Sequence, residues 1–103
     1  MVETPDGSSL HGTLHTGLSR EEVAALYGAL GWDVRKCSWT DYEVRSSWAE
    51  LVIESEAPIL MHGPAAGVAD RAEELLAPLR EAGVSFRVEC YGPDGELLRE
   101  FSG

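Results

Sequence analysis

Residues 73–91 read EELLAPLREAGVSFRVECY, and they change period halfway along. Leu75, Leu76 and Leu79, with Val68 and Ala72 just before them, recur at helical spacing, whereas Phe86, Val88 and Cys90 alternate with Ser85, Arg87 and Glu89. The spacing predicts a helix over 68–82 that stops at Gly83, followed by a strand with one face inward. Pro78 lies within that helix. It removes a backbone hydrogen bond and crowds the carbonyl of Glu74, so a kink or a break in the last turn is expected.

A fainter copy of the unit stands earlier, in residues 21–39, EEVAALYGALGWDVRKCSW. The two segments share Glu21-Glu22 with Glu73-Glu74, Ala25 with Ala77, Gly31 with Gly83, and Arg35 with Arg87. Ser19-Arg20-Glu21-Glu22 is a capping box, so a first helix starts there; Val23, Leu26, Tyr27 and Leu30 make its apolar face, and Gly31 ends it.

Around these units Leu10, Gly12 and Leu14 alternate with His11, Thr13 and His15, the pattern of a first strand. Trp32 to Trp39 and Tyr42 to Ser55 are rich in strand formers, with a hairpin turn expected at Thr40-Asp41 and a break at Ser46-Ser47. Ile59-Leu60-Met61 is a short apolar run of the kind buried on both faces, and is placed centrally. His62 to Gly67 reads as a loop, and Gly92-Pro93-Asp94-Gly95 turns the chain into a closing strand, Leu97 to Phe101. Two helix–glycine–strand units point to the α+β class: a ferredoxin-like two-layer sandwich with a mainly antiparallel sheet of about four to six strands and two helices on one face. Residues 1–9, with Thr4-Pro5-Asp6-Gly7-Ser8-Ser9, are expected as a flexible tail, and residues 10–103 as a single domain.

Eighteen Asp and Glu against eight Lys and Arg leave a net charge of −10. A surface of that sign repels phosphate backbones, so nucleic acid is not an expected partner; it attracts basic proteins instead. No apolar run approaches the ~20 residues of a membrane span and the start lacks a secretory pattern, so no membrane partner and a cytoplasmic location are expected. Cys37 and Cys90 stand alone, each expected as a reduced, half-buried thiol, and they lie too far apart in the expected sheet to be bridged.

His15 and His62 are the ligand-binding candidates. Each ends an expected strand just before a glycine and a helix; if those strands are parallel neighbours, both imidazoles share one edge of the sheet, where helix N-termini favour an anion. No third ligand stands at metal spacing, and His11 is about 13 Å from His15 at ~3.3 Å per strand residue, so neither a metal nor another cofactor is expected. No phosphate-binding loop is present.

Trp39, Asp41, Tyr42, Glu43 and Trp48 are the partner-binding candidates, because aromatic side chains crowd the expected hairpin with Arg45 and Glu50 beside them. The catalytic residues of an enzyme do not stand out. The reading therefore leans to a non-enzymatic protein-binding or regulatory module that uses an acidic sheet surface and an aromatic hairpin, with a protein partner or a homodimer. The alternative is a small homodimeric enzyme or small-molecule-binding protein with a pocket near His15 and His62.

Overall fold

A computed structural model, which describes residues 7–103, arranges the chain as β1 (Ser9–His15), α1 (Arg20–Gly28), β2 (Asp33–Lys36), β3 (Tyr42–Arg45), β4 (Glu50–Glu54), β5 (Ile59–Pro64), α2 (Val68–Glu81), β6 (Ser85–Tyr91) and β7 (Leu97–Ser102). The strands join one seven-stranded sheet in the order β2-β3-β4-β5-β1-β6-β7. Every neighbouring pair is antiparallel. The α+β class and the antiparallel sheet match the expectation; the seven strands exceed the expected four to six, because residues 42–54 form two short strands, β3 and β4. Of the tail expected over residues 1–9, residues 1–6 lie outside those described, and Ser9 opens β1.

Alternation explains the layers. Leu10 and Leu14 of β1, Leu51 and Ile53 of β4, Ile59 and Met61 of β5, and Phe86, Val88 and Cys90 of β6 all point to one face and are buried there. Both helices cover that face: α1 lies over β2, β3 and β4, and α2 against β6. Val23, Ala24 and Tyr27 of α1 and Val68, Ala72, Leu75, Leu76 and Leu79 of α2 complete the core. Burial of this one cluster supplies the main driving force.

The caps follow the sequence in part. Ser19 Oγ accepts from Glu22 N at 3.1 Å and Glu22 Oε1 accepts from Ser19 N at 3.1 Å, so the capping box forms. α1 ends at Gly28, and Leu30, expected on its apolar face, is 56% exposed in the turn beyond. α2 runs through Pro78 to Glu81 with no break, and Pro78 is itself buried; the Ala82 amide donates to the Pro78 carbonyl at 3.1 Å.

Three expectations about strands are corrected. β5 is central, but Leu60 is 37% exposed, because no helix covers the second face. His62, Gly63 and Pro64 belong to β5 rather than to a loop. Gly63 can extend the strand because it lacks a Cβ: with φ at 152°, an added one would stand 2.1 Å from the Glu50 carbonyl oxygen. Finally, the two repeated segments end differently, since β6 lies beside β1 with three buried residues while β2 is the sheet edge with all four exposed.

Candidate functional site: the open sheet face and the hairpin tip

The face away from the helices carries a single row of side chains that crosses the whole sheet. Cross-strand pairing aligns Arg35 with Glu43, Glu43 with Val52, Val52 with His62, His62 with His11, His11 with Glu89, and Glu89 with Glu100. Directly opposed side chains on one face lie within contact range, so the row interacts. Arg35 Nη2 meets Glu43 Oε1 at 3.3 Å, and Arg87, one row over, meets Glu100 at 3.2 Å. These surface pairs orient charge more than they stabilise.

In the middle of the row the His11 and His62 rings stack with centroids 6.0 Å apart and planes 12° apart. His62 Nε2 donates to Glu54 Oε1 at 2.7 Å. On the other side the Tyr91 ring meets His11 edge-on at 5.5 Å, and Tyr91 Oη donates to Glu89 Oε2 at 3.0 Å. That bond to Glu89, followed by partial burial, pushes the Tyr91 phenol up from its ordinary range. An open hollow of about 360 Å³ lies there, lined by Ser9, His11, Glu89, Tyr91 and Gly95.

His15 is not part of this cluster. β1 and β5 are neighbours, as expected, but they run antiparallel, so their C-terminal ends point in opposite directions and His15 pairs with Ser85 at the far end from His62. Among the described residues no group of three or more His, Cys, Asp or Glu could hold a metal ion.

The hairpin of β2 and β3 is the second feature. Its turn is wider than two residues: the Cys37 amide donates to the Asp41 carbonyl at 3.0 Å, and Ser38 Oγ accepts from the amides of Thr40 and Asp41 at 3.4 and 3.1 Å. This places Trp39 at the apex, 92% exposed. Below it a cleft of about 190 Å³ is lined by Ser19, Arg20, Glu21, Trp39, Thr40, Tyr42 and Glu56. Arg20 Nη1 donates to the Ser55 carbonyl and Nη2 to Glu56, both at 3.0 Å, which fixes the floor.

The five partner candidates therefore separate. Trp39 is exposed at the tip, Asp41 is half-buried beside it, Glu43 stands half-buried on the open face, and Tyr42 is half-buried on the helix side. Trp48 packs inward, edge-on to Trp32 at 6.0 Å and under the Arg71 guanidinium at 5.3 Å, while Trp32 reaches Tyr27 at 5.3 Å. Cys37 is exposed, contrary to expectation, because β2 is an edge strand; Cys90 is buried, and burial pushes its thiol up against the smaller opposing effect of Arg99. The two thiols are free, as expected.

The chain matches no protein-family model, no curated protein and no solved structure. Among the described residues no helix is long and apolar enough to cross a membrane. The sequence reading missed His11 as the neighbour of His62, and Glu89 and Tyr91 as the neighbours of His11. Alternation in β1 marks His11 as outward-facing, but only the strand register says what lies opposite it.

Proposed function

We propose that the domain is a non-enzymatic protein-binding module, and that its hot spot is Trp39 at the hairpin tip. The observation that supports this is the 92% exposure of a tryptophan held at the apex of an ordered turn, with Glu21 and Glu56 in the cleft below it and Asp41 two residues along the turn. An exposed indole costs solvation with no return within the chain, and buried indoles dominate the energetics of interfaces. With Glu56 held by Arg20, Glu21 and Asp41 select for charge: a Lys or Arg of a basic partner gains both a cation–π contact and an anionic rim. The net charge of −10 steers such a partner toward the domain. In the same reading β1, β4, β5 and β6 with the two helices are a ferredoxin-like core, to which the β2–β3 hairpin is added as the binding device and β7 as an edge.

The test compares Trp39→Ala with the wild-type domain, both immobilised, against a lysate of the source organism. A basic protein retained by the wild type and lost by the variant supports the reading. Equal retention of the same proteins by both removes Trp39 from it.

A second reading rests on the His11–Tyr91 hollow, where imidazole, phenol and carboxylate converge on a concave surface suited to a small polar ligand. Shifts confined to the His11, His62 and Tyr91 ring signals in a nuclear magnetic resonance screen of small polar metabolites would favour it over the protein partner. An unperturbed cluster would leave it without support.

A further inference from the structure

We infer that the β2 edge is a self-complementary interface, through which two copies of the chain join their sheets into one. β2 is the outermost strand, and all four of its residues, Asp33, Val34, Arg35 and Lys36, are exposed. The Cys37 amide donates to the Asp41 carbonyl, so the hydrogen-bonded pairs with β3 fall at Cys37, Arg35 and Asp33. The main-chain groups of Val34 and Lys36 then point to the sheet edge, where another strand can take them.

Register decides what a second copy would meet. In an antiparallel pair, directly opposed residues share a face, so a two-fold axis must pass midway between one residue of β2 and its own copy. Centred on Val34, the two copies exchange both Val34 hydrogen bonds, set Val34 against Val34, and oppose Asp33 to Arg35 twice. Centred on Arg35, like charges meet instead, Arg35 against Arg35. The first register is the one the charges allow.

The same register extends the charge pattern of the open face. Within one copy Glu43 opposes Arg35, Asp33 opposes Arg45, and Arg45 opposes Glu50. Across the interface these rows become Glu43, Arg35, then Asp33, Arg45 and Glu50 of the second copy, with the sign alternating at each step and the mirror row related by the axis. On the helix face Val34 is 42% exposed, and Leu30, in the turn leading into β2, is 56% exposed; a neighbouring sheet edge would cover apolar surface that α1 leaves open.

β7, the other edge, lacks this complementarity. The two registers that pair most of Leu97–Ser102 set Arg99 against Arg99 or Glu100 against Glu100. The pairing at β2 does not use Trp39, so it and the partner reading fail separately.

The test is a charge swap read by sedimentation equilibrium on the full chain near physiological ionic strength. The wild type is expected to dimerise with concentration. Asp33→Arg alone opposes Arg to Arg, and Arg35→Asp alone opposes Asp to Asp, so each should associate at least about tenfold more weakly. An equimolar mixture of the two variants restores both opposite-charge pairs and should recover heterodimer. Hydrogen exchange of the wild type gives an independent reading, with the Val34 and Lys36 amides becoming protected as concentration rises. A wild type that stays monomeric up to about 1 mM overturns the inference. So does a dimer that neither variant weakens, or one whose Val34 and Lys36 amides exchange at the same rate at every concentration.

Discussion

His11 and His62 stack across the β1–β5 pair at the centre of the open face, with ring centroids 6.0 Å apart and Glu54 bonded to His62. The relationship follows from register alone, since Leu10 faces Gly63 and Leu14 faces Ile59 on either side of it. Side chains so opposed should be energetically coupled. A double-mutant cycle with His11→Ala and His62→Ala is expected to show an interaction of about 0.5 kcal/mol, within the span of cross-strand pairs. Strict additivity in denaturant unfolding would mean that the rings do not meet.

Tyr27 gives the domain a defined weakness in alkali. Its hydroxyl donates to the Leu75 carbonyl at 2.8 Å in the core between α1 and α2, and burial raises the phenol well above its ordinary range. A raised native pKa means that the neutral form is favoured by folding. The stabilisation is complete below the unfolded value near 10 and is lost as pH rises above it, by up to ~1.4 kcal/mol per unit, because the unfolded chain releases a proton that the native state keeps. Tyr27→Phe should lower stability at neutral pH by about 1 kcal/mol and flatten the decline above about pH 10. If wild type and variant lose stability in parallel above that pH, Tyr27 is not the group responsible.

Gly63 should be the least replaceable residue of β5. An added Cβ would stand 2.1 Å from the Glu50 carbonyl oxygen and 3.2 Å from the Leu51 Cα, both backbone, and the φ of 152° adds strain for any other residue. Backbone on both sides of a central strand pair has little room to give. Gly63→Ala is therefore expected to cost about 3 kcal/mol or more in denaturant unfolding, against a cost well under 1 kcal/mol for Gly17→Ala, where nothing lies within 4 Å. A Gly63→Ala protein as stable as the wild type would contradict the close approach of β4 and β5.

What the sequence discloses about this fold is local, and what it conceals is register. The capping box at Ser19, the stop at Gly83 and the alternation in β6 each depend on neighbours a few residues away, and each is found where expected. The direction of β5 against β1 depends on how many strands intervene. Residues 46–49 break what could be one long strand into β3 and β4, and that break lets β5 return beside β1 in the reverse sense. The same fact separates His15 from His62 and brings His11 into its place. The hairpin aromatics were legible as a group but not as individuals: Trp32 and Trp48 go inward because Tyr27 of α1 and Arg71 of α2 meet their rings, whereas the turn at Ser38 carries Trp39 beyond the reach of the core.

The turn between β4 and β5 offers a stabilising change. Ser55 has φ of 66°, a left-handed conformation that costs a residue with a Cβ roughly 1–2 kcal/mol, and Arg20 holds it there through the Ser55 carbonyl at 3.0 Å. Glycine relieves that cost but brings back about 0.4–1 kcal/mol of unfolded-chain entropy. The difference favours the folded state, so Ser55→Gly should raise stability by up to about 1 kcal/mol, seen as a higher unfolding midpoint with an unchanged denaturant slope. Ser55→Val should move the other way, because a β-branched side chain resists that backbone more strongly. A Ser55→Gly protein less stable than the wild type would show that the serine side chain contributes more to the turn than its backbone strain removes.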